Sequence, residues 1–171
     1  MTIREIYDTY NLMVYNVALS YVQNVENAQE ITQDVFVKVY QKLDSFNEQS
    51  SVKTWIYRIT INQSLDFIKM SSRKKRFGFM TGLLDRQNRE HSVFTHFDHP
   101  GVQLEQKEAV QKIYDGINQL PAKQKTVLLL RIQEELSIKE IAEVLEATPK
   151  AVESLVSRAR KKLELIMRNE G

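Results

Sequence analysis

Two sets of polar side chains in this sequence have types and spacing suited to nucleic acid. In the stretch TPKAVESLVSRARKK, Lys150, Glu153, Ser154, Ser157, Arg158 and Lys161 fall on one side of a helix turning about 100° per residue. Short polar side chains near the start of such a helix reach base edges, and the cations farther along suit phosphates. The second set is Arg58, Asn62, Asp66 and Lys69, a narrow polar stripe in TWIYRITINQSLDFIKM. Asn and Asp are poor neutralisers of phosphate, but they hydrogen-bond the edges of bases. Bases in a duplex are hidden in the stack, so such a stripe is most useful against unpaired or flipped bases. An ordinary solvent-facing stripe has the same spacing, and both readings stand at this point. A third set, His91, His96 and His99, invites a metal guess, but it lacks helical placement and a convincing carboxylate partner set. These are read as solvated histidines.

The elements that must position these groups are helices. Ser137 with Glu140 is a capping box opening a helix whose Ile138, Ile141, Ala142 and Leu145 share one face. Thr148-Pro149 supplies an N-cap oxygen and a proline at the first helical position of the next helix, and Pro149 keeps the two from fusing. Behind the polar side of that second helix, Val152, Leu155, Val156, Ala159, Leu163 and Ile166 form an apolar face. Two helices joined by a tight turn, the second amphipathic and largely cationic outside, is the helix-turn-helix arrangement. A helical hairpin with a solvated basic face is the plainer alternative. A glycine is usual in such a turn because it tolerates positive φ; this chain has Glu146 and Ala147 instead.

Upstream, Thr2 with Glu5 reads as a capping box for a first helix, and Asn27 with Glu30 as the start of a second, over 28–43. The outward face of that second helix holds Glu30, Gln33, Asp34, Val37 and Gln41, and an apolar Val37 among polar groups suits partner docking. A third helix, from Thr54 to Met70, is apolar almost all round and should be mostly buried. Trp55, Ile56, Ile59 and Phe67 take one side of it, and Tyr57, Ile61, Leu65 and Ile68 take another. Helical periodicity fails from Phe77 to about Gly101 and resumes at Val110. A long structureless loop inside one compact domain is uncommon, so the chain reads as two domains. The expected fold is all-α: a helical bundle over 1–76 and a helix-turn-helix domain over 108–171, joined by a flexible linker over 77–107.

Composition narrows the function. The chain of 171 residues has no cysteine, which excludes disulfides, zinc fingers and thiol catalysis. There is no signal peptide and no long apolar run, so direct membrane insertion is not expected and a cytoplasmic location is. The net charge is only +2, but basic residues outnumber acidic ones in 1–76 and again in 109–171, while 77–108 is net acidic. The cations cluster in SRKKR at 72–76 and RARKK at 158–162. No cofactor is called for and no catalytic set is present, so the chain is not read as an enzyme.

The two blocks resemble a known family. ENAQEITQDVFVKVYQKLDSF followed by SSVKTWIYRITINQSLDFIKMSSRKKR is similar to region 2 of the bacterial extracytoplasmic-function sigma factors of the sigma-70 family. LPAKQKTVLLLRIQEELSIKEIAEVLEATPKAVESLVSRARKKLE is similar to their region 4. Two glycines often found in region 4 are Glu135 and Glu146 here. The resemblance implies a transcription initiation factor that takes core RNA polymerase to promoter DNA. Gln33, Asp34, Val37 and Gln41 would dock on the polymerase, with Asp34 in the usual acidic position. The loop Phe46 to Ser51, with Phe46, Ser50 and Ser51, and the stripe Arg58, Asn62, Asp66 and Lys69 would take the unpaired minus-ten strand. The helix over 149–163 would enter the major groove at the minus-thirty-five element. The linker would thread towards the RNA exit channel, and an anti-sigma factor is the implied regulator.

Two rivals share parts of this pattern. A dimeric helix-turn-helix regulator without sigma activity would have the same C-terminal motif, but usually with an α/β receiver or ligand domain, and 1–76 shows no alternating strand pattern. A helical adaptor would bind protein alone, with no use for the polar face of the last helix.

Overall fold

The computed structural model describes residues 1–47, 49–81 and 104–169. Among these are seven α-helices, one 3₁₀ turn and no strand. The helices are α1 (Ile3–Val22), α2 (Val25–Lys42), α3 (Val52–Thr81), α4 (Leu104–Asn118), α5 (Ala122–Ile132), α6 (Ile138–Leu145) and α7 (Pro149–Asn169), with the 3₁₀ turn at Leu43–Ser45. The all-α expectation holds.

Local chemistry sets most of the boundaries. At the start of α1, the Thr2 N–H donates to Glu5 Oε2 at 2.7 Å and the Glu5 N–H returns a bond to Thr2 Oγ1 at 3.3 Å. At α6 the Ser137 N–H donates to Glu140 Oε2 at 2.8 Å and the Glu140 N–H to Ser137 Oγ at 3.2 Å. Thr148 Oγ1 accepts from the Ala151 N–H, leaving Pro149 at the first position of α7. The start of α2 differs from expectation. Its N-cap is Asn24, whose Oδ1 accepts from the Asn27 N–H at 2.8 Å, so Asn27 and Glu30 lie inside the helix. Gln23 ends α1 in the left-handed region at φ 50°, which turns the chain at once into the extended Asn24.

The third helix is longer than its apolar pattern. It begins at Val52, where Ser51 Oγ accepts from the Thr54 N–H at 3.0 Å, and runs through SRKKR to Thr81. Lys and Arg are good helix formers, and no proline intervenes to stop it. The expected linker over 77–107 therefore contains helix at both ends, Phe77–Thr81 in α3 and Leu104–Lys107 in α4. The rest of it, with His91, His96 and His99, lies outside the described residues.

Two apolar clusters hold the molecule. The first joins α1, α2 and α3 through Ile6, Val14, Ala18, Ile31, Val35, Val39 and Ile56. The second is built on the C-terminal helices, with Ile117, Leu128, Leu130, Ile141, Val152 and Ala159, and it also takes Val17, Tyr21, Tyr57 and Ile61 from the N-terminal helices. This explains why α3 is apolar on two sides. Ile56, flanked by half-buried Trp55, Ile59 and Phe67, faces α1 and α2, while Tyr57 and Ile61, flanked by Leu65 and Ile68, face the C-terminal unit. Full burial of one large apolar side chain is worth about 1.5–3 kcal/mol, so several on each side make α3 a shared wall. In the C-terminal unit, Gly116 lets α7 approach α4: a Cβ there would sit 2.8 Å from the end of the Leu163 side chain.

Polar contacts reinforce the docking of the two units. Tyr21 and Thr126 share a hydrogen bond of 2.6 Å. Buried Lys125 donates to the Tyr21 carbonyl near the end of α1 at 2.9 Å and to Asn118 Oδ1 at 2.6 Å. An ammonium on the carbonyl end of a helix is well placed electrostatically. Burial nevertheless lowers its pKa to about 8. Tyr57 donates to Glu134 Oε2 at 2.7 Å. Burial holds the Tyr57 phenol far above its usual pKa and also raises that of Glu134, the latter opposed by the Tyr57 bond and by Lys53.

Candidate nucleic-acid interface

The last helix presents its polar face as expected. Val152, Val156 and Ala159 are buried against the C-terminal unit, while Lys150, Glu153, Ser154, Ser157, Arg158 and Lys161 are all exposed. The Arg158 Nε donates back to the Ser154 carbonyl at 3.4 Å, which lays the guanidinium along the helix. A shallow concavity beside this face is lined by Glu153, Ser157 and Lys161 of α7 together with Arg131, Arg160 and Glu164. Arg131 and Arg160 were not singled out by the sequence pattern. The signal for Arg160 was its place in RARKK; for Arg131 there was none, because its position depends on how α5 packs against α7.

The turn before α7 departs from the residue types that suit it. Glu146 in this turn, and Glu135 in the connection between α5 and α6, adopt φ of 52° and 53°, the left-handed region where glycine is free of strain. A non-glycine residue there costs roughly 1–2 kcal/mol. The turn therefore keeps its geometry without its usual residue. Glu146 N–H satisfies the end of α6 by bonding the carbonyls of Ala142 and Glu143.

On α3 the stripe divides. Asn62, Asp66 and Lys69 are exposed, and Lys69 and Asp66 approach at 3.9 Å, a solvated pair of little energetic weight. Arg58 is half-buried and turned to α6. Its Nε donates to the Val144 carbonyl at 3.1 Å, its Nη2 to the Glu143 carbonyl at 2.6 Å, and its Nη1 lies 3.1 Å from Glu146 Oε1. In the preceding loop, Phe46 packs on Trp55 with ring centroids 4.7 Å apart. Ser51 is the cap of α3, and Ser50 lines a groove that also meets Arg58, Glu143, Glu146 and Pro149. The loop before α3 and the start of α7 thus face one another.

On α2, Gln33, Asp34, Val37 and Gln41 are exposed together. Asp34 is not isolated: its Oδ2 accepts from Gln63 Nε2 at 2.9 Å, and Gln63 Oε1 in turn accepts from Lys38 Nζ. Tyr40, 68% exposed, extends the apolar patch begun by Val37, which is 53% exposed. The spacing of three residues between them was the readable signal. Among the described residues no group of His, Asp or Glu is arranged to hold a metal, and no helix is long and apolar enough to cross a membrane.

Comparison with known proteins places the chain in a family. The Sigma-70 region 2 family matches residues 6–74, and the Sigma-70, region 4 family matches residues 111–163. The chain is 30% identical over 138 residues to the ECF RNA polymerase sigma-E factor of Haemophilus influenzae, covering 79% of this chain and 71% of that protein. It is 29% identical over 169 residues to the ECF RNA polymerase sigma factor SigW of Bacillus subtilis, covering 96% and 88%. In fold it is similar to the sigma factor RpoE bound to the anti-sigma factor NepR from Bartonella quintana, with TM-score 0.64, 21% identity and 96% of each chain covered. It is also similar to CnrH bound to the cytosolic domain of CnrY, with TM-score 0.66, 18% identity and coverage of 99% of this chain and 89% of that one. With both regions present in order on one all-helical chain, this protein belongs to the extracytoplasmic-function sigma factors of the sigma-70 family.

Proposed function

We propose that this sigma factor binds core RNA polymerase through the α2 face, opens the minus-ten element with the exposed part of the α3 stripe, and reads the minus-thirty-five element with α7. It acts by binding and positioning, without a catalytic step of its own, in the cytoplasm where the polymerase works. The observation that carries the reading is the division of α7: an apolar side with Val152, Val156 and Ala159 buried and Leu155, Leu163 and Ile166 half-buried, and an exposed side of six polar residues. Lys150, Glu153, Ser154 and Ser157 lie towards the N-terminal end, where a recognition helix meets bases, and Arg158 and Lys161 lie nearer the phosphates. On α3, Asn62 and Asp66 take an unpaired base, Lys69 supports the strand, and Phe46, Ser50 and Ser51 shape the loop beside it. Gln33, Asp34, Val37 and Gln41, with Tyr40, form the polymerase-facing patch. The RpoE and CnrH structures each hold a second protein, NepR and the cytosolic domain of CnrY, and a protein inhibitor of that kind is the proposed regulator here.

Promoter melting tests the α3 assignment. In holoenzyme, Asn62→Ala with Asp66→Ala should reduce permanganate reactivity of the minus-ten thymines while leaving polymerase binding intact. Unchanged melting would leave the stripe as solvated surface.

A further inference from the structure

We propose that Gln63 of α3 is a positioning residue for polymerase docking: its side-chain amide sits between Lys38 and Asp34 of α2 and fixes the Asp34 carboxylate as an outward-facing acceptor. This rests on the functional reading of the α2 face above. Asp34 and Lys38 are four residues apart on one helix, the spacing at which a carboxylate and an ammonium meet. Among the described residues the ion pairs are Arg58–Glu146, Asp66–Lys69 and Glu164–Arg168, and Asp34 and Lys38 do not form one. The amide from the neighbouring helix takes both groups instead. Gln63 Nε2 donates to Asp34 Oδ2 at 2.9 Å, and Gln63 Oε1 accepts from Lys38 Nζ. Reversing the amide would set its NH2 against the ammonium and its oxygen against the carboxylate, so the charges on either side fix one orientation.

This arrangement decides what Asp34 can offer a partner. A neutral amide occupies one carboxylate oxygen without cancelling the charge, whereas the Lys38 ammonium would neutralise it. Among the described residues Asp34 Oδ1 accepts no bond, and Asp34 is exposed beside the exposed Val37. A carboxylate with one oxygen tied and one open suits a charged N–H donor, ammonium or guanidinium, on the docked surface. Holding the side chain in place before binding removes part of the cost of ordering it on docking. The packing of α2 on α3 does not depend on these bonds, because Ile31, Val35 and Val39 share an apolar cluster with Ile56. A solvated bond between side chains adds little to stability, so what the amide supplies is the geometry of the carboxylate.

The test is a double-mutant cycle, read by titrating core polymerase with the full chain. Gln63→Met keeps the length of the side chain, removes both bonds and leaves Lys38 free to take the carboxylate. It should weaken binding roughly two- to tenfold, as expected for one interface side chain that must be ordered on docking, with a thermal melt like that of the unmutated chain. Asp34→Ala should weaken binding at least as much. Adding Gln63→Met to Asp34→Ala should cause no further loss, because the amide then has no carboxylate to hold. A purely structural role for Gln63 would give the same loss in both backgrounds, and that result overturns the proposal. So does a Gln63→Met chain that binds like the unmutated one. A second measurement needs no polymerase: the side-chain amide resonances of Gln63 in the free chain should shift in Asp34→Ala and in Lys38→Met. Resonances unmoved in both variants overturn the proposal alone. If Asp34→Ala binds core as tightly as the unmutated chain, the α2 reading falls and takes the docking role of Gln63 with it, even where the amide resonances move.

Discussion

At the scale of single residues, the outer face of α7 mixes two chemistries that should fail differently. Ser154→Ala or Glu153→Ala should change which promoters are preferred, by roughly 1–3 kcal/mol for each lost base contact. Lys161→Ala should weaken all promoters about equally and reduce the salt slope by about one. Holoenzyme affinity on a panel of single-base promoter variants at several salt concentrations separates the two outcomes. Lys125 gives a second residue-scale expectation. Its pKa in the folded chain is about 8 against 10.5 for the free side chain, so between those values the unfolded chain binds more protons. Stability should therefore rise with pH across that window. Above about 10 the buried Tyr21 and Tyr57, whose pKa values are raised, pull the other way, because only the unfolded chain releases their protons. Denaturant midpoints from pH 7 to 11 should show a rise that flattens above 10, and Lys125→Met should remove the rise. The caps at Thr2, Ser137 and Thr148 were legible in the sequence, because a cap is a rule about residues three apart. The partners of Arg58 and Lys125 were not, because each lies on an element whose placement no local pattern specifies.

At the scale of elements, α3 carries two packing faces with different duties. Ile56→Ala empties a site in the core of the first three helices and should cost about 2–5 kcal/mol of global stability. Ile61→Ala lies in the cluster shared with the C-terminal helices and should mainly loosen their docking. Hydrogen exchange separates these outcomes: Ile56→Ala should speed exchange in α1 and α2, and Ile61→Ala should do so at the contact of α3 with the C-terminal unit. The sequence showed that α3 was apolar on two sides and should be buried; it did not show that the second side is covered by the other half of the chain. The start of α2 was misplaced because Asn24 and Asn27 are both good caps three residues apart. The left-handed Gln23 selects the earlier one. For the outward face of α2, Asp34→Lys should weaken polymerase binding roughly tenfold or more. As a surface change it should shift stability by only about 0.5 kcal/mol. Titration of core polymerase with the variant, beside its thermal melt, checks both halves of that expectation.

At the scale of the whole molecule, the all-helical class and the two-part order were readable because helical periodicity is repeated in every element and fails in the stretch between them. The closed arrangement was not readable. Its contacts join residues such as Tyr57 and Glu134, or Arg58 and Val144, that are far apart in sequence and share no periodic signature. The left-handed glutamates mark the same limit: the sequence showed that glycine was missing at Glu135 and Glu146, and only the structure shows that both connections form regardless and that the Glu146 carboxylate meets Arg58. The central claim is that this chain directs core polymerase to promoters, and reconstituted transcription tests it most directly. Purified core polymerase should produce discrete run-off transcripts from a genomic fragment library only when the chain is added. Their start sites should share sequence blocks at minus ten and minus thirty-five, and the transcripts should be lost in Asn62→Ala/Asp66→Ala. The same transcripts with and without the chain would contradict the account.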